Sequence, residues 1–172
     1  GESLLYNAAS VSGDPSEDSQ IMRVSLDGSV VTPISVPLLA HDFVELPDGT
    51  IAAIATEYRE FEGEQLRGDK LVEIAPDGTQ TDVWTAWDCF DPAVHTHDDM
   101  DFGWTFCNAL DYDATEDTYY LGIRNFSTIV QLPRDSYTCE WLFGGIAGEV
   151  DVDGLPFMHE HQFQVLDGSI LI

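Results

Sequence analysis

His41-Asp42-Phe43-Val44-Glu45-Leu46-Pro47-Asp48-Gly49-Thr50-Ile51 reads almost the same as His161-Gln162-Phe163-Gln164-Val165-Leu166-Asp167-Gly168-Ser169-Ile170-Leu171. Each stretch has a histidine, alternating apolar residues, an Asp-Gly turn and a second apolar run. Alternation with a period of two marks a half-buried strand. Asp-Gly between two such runs is a strong hairpin signal, because both central residues of a type I′ turn need positive φ. A β-unit therefore recurs, and each copy opens on a histidine. Self-similarity of this kind decides the fold before any single element does.

Working outward, Asp-Gly also occurs at Asp27-Gly28 and Asp77-Gly78. The apolar runs beside these turns predict strands over 21–26, 30–31, 43–46, 50–55, 70–74 and 79–84. Further strands are predicted over 108–111, 119–124, 128–132 and 139–143, with loops over 12–19, 60–69, 88–103 and 144–156. No segment reads as an amphipathic helix. The strands group into units over 1–37, 40–87 and 104–143, with another opening at 157–172. Units of roughly 40–50 residues with four strands each are blades of a β-propeller. The expected fold is all-β, a propeller segment of about three and a half blades. A two-layer sandwich is the alternative, but it leaves the histidine-led repeat unexplained. An open ring exposes strand edges, so the remaining blades are expected from a further segment of the polypeptide or from another subunit.

The chain has 172 residues, 44% of them hydrophobic, enough for a packed core and too many for a disordered acidic tail. No run of 18 apolar residues could span a membrane. Six Lys+Arg against 32 Asp+Glu give a net charge of −26. Such a surface repels nucleic acid and anionic lipid, which need a basic footprint. It suits either high salt, where screening suppresses self-repulsion, or a calcium-rich exterior. Secretion, the periplasm or the cell surface is the expected location. Cys89, Cys107 and Cys139 allow one disulfide plus a free thiol, and the sequence does not choose the pair.

The third unit carries Trp104-Thr105-Phe106-Cys107-Asn108, then Ser127-Thr128-Ile129 after Arg124-Asn125, then Trp141-Leu142-Phe143-Gly144-Gly145, then Phe157-Met158-His159-Glu160-His161. In this order, together with the first histidine unit and Leu71-Val72-Glu73-Ile74, the motifs resemble the arylsulfotransferase family of six-bladed propellers. Those proteins carry W-x-H-x-N, S-x-R-N-x-S-T-I, W-x-L-G-G and F-x-x-Q-H. The resemblance covers roughly residues 38–172. It implies transfer of a sulfuryl group from an aryl sulfate to a phenol through a sulfohistidine, with no nucleotide donor and no required cofactor. By motif, His161 would be the nucleophile, Asn108 and Arg124 would hold the sulfuryl oxygens, and His41 would line the channel. Two positions depart from the pattern. Phe106 stands where the family has a histidine, and Glu160 stands where it has a glutamine. Loss of a positioned acid or base costs about 10²–10⁴-fold in rate.

The residues support the same reading from below. Inner propeller strands line a central channel. His41, Phe106 and His161 open successive inner strands, and Trp104, Phe106 and Asn108 would share one face. Sulfuryl transfer needs a nucleophile and donors aimed at the equatorial oxygens, which His161, Arg124 and Asn108 supply. Structural readings stand beside these. Arg124 could pair with an acid of the next blade, Asn108 could cap a turn, and the histidines could be semi-buried packing groups. The four tryptophans read as blade packing. His159 and His161, with His95, His97, Asp98 and Asp99, are the candidate divalent-metal set. Asp111, Asp113 and Asp117 resemble a calcium loop in charge alone. A second class of function is a non-catalytic extracellular binding, scaffold or assembly propeller, which calcium could organise.

Overall fold

The computed structural model describes residues 2–8, 15–96, 103–145, 157–166 and 169–172. Strands β1 (Ser3–Ala8), β2 (Gln20–Ser25) and β3 (Val31–Ser35) form a three-stranded sheet. Strands β4 (Leu39–Glu45), β5 (Ile51–Phe61), β6 (Glu64–Ile74) and β7 (Gln80–Thr85) form a four-stranded sheet. A second four-stranded sheet contains β8 (Cys107–Asp113), β9 (Thr118–Ile123), β10 (Thr128–Pro133) and β11 (Trp141–Phe143). Strands β12 (Gln164–Leu166) and β13 (Ser169–Leu171) pair with each other. Every pairing is antiparallel between chain neighbours. The described residues contain no α-helix, and none of their helices is long and apolar enough to cross a membrane. The molecule is an all-β partial propeller whose described sheets do not close a ring.

Strand β5 shows why the sheets stack. Its opening run Ile51-Ala52-Ala53-Ile54-Ala55 is buried throughout. Ala52 and Ile54 pack toward the third sheet, beside Leu71, Trp84, Leu110, Tyr119 and Leu121. Ile51, Ala53 and Ala55 pack the other way, with Ile21, Val36, Leu39 and Val72. Alternation thus sends successive side chains into two different cores. A smaller cluster of Ala109, Ile129 and Phe163 joins the third sheet to the β12 segment. A Leu71→Ala change would leave a cavity costing about 2–5 kcal/mol.

The turns differ from expectation in type. Gly28, Gly49 and Gly78 carry positive φ, but Asp27, Asp48 and Asp77 do not. These turns are therefore not type I′. Each aspartate instead accepts the N–H two residues on, from Ser29, Thr50 and Thr79, at 2.9–3.0 Å. Such Asx bonds hold the aspartate in ordinary φ and leave glycine alone to reverse the chain. Asp167-Gly168 lies outside the described residues. Both central residues are positive at Glu62-Gly63, with φ of 52° and 86°. That turn corrects the loop expected over 60–69. Strands β5 and β6 continue through it, paired from Ile51↔Ile74 to Phe61↔Glu64. This outer ribbon overhangs the sheet with little apolar alternation to reveal it. Strand β1, half-exposed along its length, was likewise not expected.

Successive sheets are tied through their first strands. Asp42 on β4 accepts the N–H of Leu110 on β8 at 2.9 Å. Asp111 on β8 accepts the N–H of Val165 on β12 at 2.6 Å. The other carboxylate oxygen of each aspartate takes the N–H of the following aromatic residue, Phe43 or Tyr112. A disulfide joins Cys89, after β7, to Cys139, before β11, and leaves Cys107 as a buried free thiol. The indole N–H of Trp84 points at both bridge sulfurs, at 3.1 and 3.4 Å.

Candidate active site

Two β-bulges place the candidate residues. Between β4 and β5 the register shifts between Leu39↔Ala55 and Phe43↔Ala53, which puts His41 in the irregular stretch. Between β8 and β9 it shifts between Cys107↔Ile123 and Ala109↔Gly122, which makes Asn108 the extra residue. Bulges re-aim side chains and cluster beside functional sites.

Phe106 precedes β8 in the left-handed region, at φ 51°. Its carbonyl accepts the Arg124 N–H at 3.3 Å. One edge of its ring meets His41, with centroids 4.6 Å apart, and the Arg124 guanidinium carbon lies 5.3 Å from the ring centroid. Phe106 therefore contacts both His41 and Arg124. Arg124 belongs to the 3-10 turn Arg124–Phe126 rather than to a strand. Its Nη1 donates to Asn125 Oδ1 at 3.0 Å, and Asn125 Nδ2 donates to the Gly103 carbonyl at 2.9 Å. Trp104 is fully buried in the core while Phe106 is partly exposed. The strand alternation expected for 104, 106 and 108 fails because β8 begins only at Cys107.

Asn108 is buried and donates from Nδ2 to the carbonyl of Glu160 at 2.9 Å. Asn7 does the same to the carbonyl of Ala40 at 2.8 Å. Each histidine of the repeat thus follows a carbonyl held by an asparagine of the preceding sheet. The Oδ1 atoms of both asparagines are buried without a hydrogen-bond partner among the described residues.

Glu160 is 6% exposed, and neither carboxylate oxygen has a partner among the described residues. Its Oε1 lies 3.2 Å from where a Cβ on Gly122 would stand, so a glycine there makes room for it. Burial pushes its pKa up to about 7, against weaker opposition from its own backbone N–H and the Arg124 charge. His41 is lowered, first by desolvation, with the His161 and Arg67 charges adding and Asp69 opposing. More than a third of His41 is solvent-accessible, so its desolvation is partial. His161 is exposed and close enough to His41 to contribute to that lowering. Fully buried Asp69 accepts from the Thr105 hydroxyl at 2.6 Å and the Cys107 N–H at 2.8 Å. Desolvation raises its pKa despite both bonds.

The metal readings gain no geometry. His159 has φ 51° and precedes β12, so His159 and His161 do not share a strand face. No three His, Cys, Asp or Glu side chains gather as a metal site among the described residues, and His97, Asp98 and Asp99 lie outside them. Asp113 accepts the N–H groups of Thr115 and Glu116 as a turn acid, and Asp111 is a tie between sheets. Trp87 and Trp104 pack together at 5.1 Å, and Trp141 stacks on Phe143. A cleft of about 990 Å³, lined by Tyr112, Tyr120, Gln131, Trp141, Phe143 and Ile170, takes in none of His41, Asn108, Arg124 and His161.

A family model described as arylsulfotransferase (ASST) matches residues 7–148. The chain belongs to the arylsulfotransferase family. Comparison with curated proteins and with solved structures gave no match. The matched part of this arylsulfotransferase chain holds His41, Asn108 and Arg124, while His161 lies beyond it. Sequence reading missed Asn7, Asp42, Asp69 and Arg67. A signal existed for the ties: Asp42-Phe43 and Asp111-Tyr112 are both an aspartate before an aromatic on a first strand.

Proposed function

We propose that this protein transfers a sulfuryl group from an aryl sulfate to a phenol, with His161 as the nucleophile. Family membership supports the reaction class. The observation that carries the reading is Arg124. Its guanidinium makes no ion pair among the described residues, and it lies against Phe106, the ring that also contacts His41. An imidazole nitrogen of His161 attacks sulfur, an N–S bond forms and the aryl S–O bond breaks. The second phenol then attacks sulfur, the N–S bond breaks, and the imidazole is restored. Arg124 neutralises charge on the sulfuryl oxygens in both steps. Asn108 acts at one remove, by holding the carbonyl of Glu160 in front of His161. With Phe106 at the family's histidine position, His41 takes the acceptor's proton, a role its lowered pKa suits.

Incubation with nitrophenyl sulfate and a phenol acceptor tests this. The protein should release nitrophenol, and His161→Ala should not. Absence of release by the unmodified protein rejects the reaction, and release by His161→Ala rejects the histidine intermediate. Phe106→His should raise the rate by about 10²-fold or more, since it returns a proton-transfer group.

Phe106 and buried Glu160 favour a second reading, a non-catalytic extracellular scaffold or assembly propeller. Calcium-dependent assembly would show as chelator-sensitive light scattering. The Cys89–Cys139 disulfide supports an oxidising location, secreted, periplasmic or on the cell surface. The acidic surface suits high salt.

A further inference from the structure

The chain has six basic side chains of the lysine and arginine type. Four make ion pairs: Arg23 with Glu45, Arg59 with Glu57, Lys70 with Asp82, and Arg134 with Glu73 and Asp48. Arg67 and Arg124 make none among the described residues. Among the described residues, these two guanidiniums are thus set apart from the other four basic groups by having no ion-pair partner. Their placement is specific.

Arg67 pairs with Tyr58 on the overhang of the β5–β6 ribbon, beyond the Leu39↔Ala55 pair and so at the end of the sheet where β4 begins. That is the end that carries His41. The segment 103–106 links the two arginines. The N–H of Trp104 donates to the Arg67 carbonyl at 2.7 Å. Gly103, at φ 105°, lies flat on the Arg67 stem, and a Cβ there would stand 3.1–3.2 Å from its Cγ and Cδ. Three residues on, Phe106 touches both His41 and Arg124. The Arg67 charge is also felt at His41. A pinned stem whose head makes no ion pair among the described residues is pre-organised to bind an anion with little loss of rotamer freedom. Asp69, the nearest acid along β6, spends one carboxylate oxygen on Thr105 and Cys107 and forms no ion pair with Arg67.

We propose that Arg67 is a substrate-binding residue, forming with Arg124 a two-guanidinium clamp on the sulfate group of the donor. The proposal rests on the aryl-sulfate reading above and adds to it a binding group that the family motifs do not contain. Two forks on one tetrahedral anion give bidentate recognition from two directions. They also supply the local positive potential that an anion needs to approach a chain of net charge −26.

The test is a titration of the whole chain with inorganic sulfate at constant ionic strength. Binding is followed by the imidazole proton resonances of His41 and His161. The unmodified protein should show saturable shifts. Arg67→Ala should weaken sulfate at least tenfold and raise KM for nitrophenyl sulfate by a similar factor, with kcat much less changed. Arg67→Lys should fall between, and Arg23→Ala should match the unmodified protein. Circular dichroism of each variant checks folding, and Arg67→Lys keeps the test open should Arg67→Ala unfold. Unchanged sulfate affinity in folded Arg67→Ala overturns the clamp and leaves the His161 reading standing. Sulfate binding lost in Arg67→Ala, with no nitrophenol release by the unmodified protein, keeps the clamp and rejects the reaction. No sulfate binding by the unmodified protein overturns both.

Discussion

Glu73 and Glu160 each sit where two sheets meet, and their surroundings treat them in opposite ways. Glu73, between the second and third sheets, accepts from the Tyr119 hydroxyl at 2.6 Å, Arg134 Nε at 2.9 Å and the Tyr137 hydroxyl at 3.0 Å. Burial would raise its pKa, but the bonds from Arg134, Tyr119 and Tyr137 prevail and hold it below its ordinary value. Glu160, between the third sheet and the β12 segment, is buried without a donor on either oxygen among the described residues. One junction is built for stability. The other gives up stability beside the residue proposed as nucleophile, where strained or unsatisfied groups concentrate in proteins generally.

The largest way to break this comparison is to cut the covalent tie of the first junction. Replacing Cys89 and Cys139 by alanine opens a loop of 50 residues and should cost about 4 kcal/mol in denaturant unfolding. A loss near zero would mean that the sheets dock without it. Next comes Glu73→Ala, which strands the Tyr119 and Tyr137 hydroxyls, leaves Arg134 its more exposed partner Asp48, and should cost about 3 kcal/mol at neutral pH. A carboxyl with a depressed pKa stabilises above its unfolded value of 4.5 and loses that contribution as pH falls through the folded value. The Glu73→Ala deficit should therefore shrink below pH 4.5.

Glu160 predicts the opposite slope. The folded chain keeps its proton up to about 7, and the unfolded chain releases it near 4.5. Its junction should therefore weaken as pH rises between those values. Glu160→Gln should stabilise the protein by about 2 kcal/mol at pH 8 and by almost nothing at pH 4, measured as paired melting curves. Equal gains at both pH values would show that Glu160 ionises as freely as in the unfolded chain. The smallest effects sharpen the likeness instead. Asp42→Ala and Asp111→Ala each remove one tie between first strands and should each cost about 1–2 kcal/mol. A difference above about 1 kcal/mol would mean that the two ties are not equivalent.

The fold was legible because its signal is periodic. The alternation around Phe43, Ile51 and Leu71, with Asp-Gly between, is a local pattern that needs no tertiary knowledge. The overhanging ribbon from Glu57 to Gly68 was hidden because it is rich in polar residues with little apolar alternation and turns on Glu62-Gly63, outside the usual hairpin dipeptides. His41, Asn108, Arg124 and His161 were found by motif, and the structure places His41 and Arg124 against Phe106 and Asn108 against the Glu160 carbonyl. What the sequence hides is which contacts are missing. That Arg67 has no acid partner and Glu160 no donor among the described residues depends on residues far away along the chain. Bulges, likewise, come from the count of residues between two paired strands and leave no compositional mark.

The Cys89–Cys139 bridge makes the polypeptide between those residues a covalent ring, and that ring carries Phe106, Asn108 and Arg124. A protease cutting once inside it, at the exposed Thr115–Glu116 turn for instance, would leave both fragments tethered. The nicked molecule would migrate as one species until a reductant parted it, so gel analysis under oxidising conditions would score clipped material as intact.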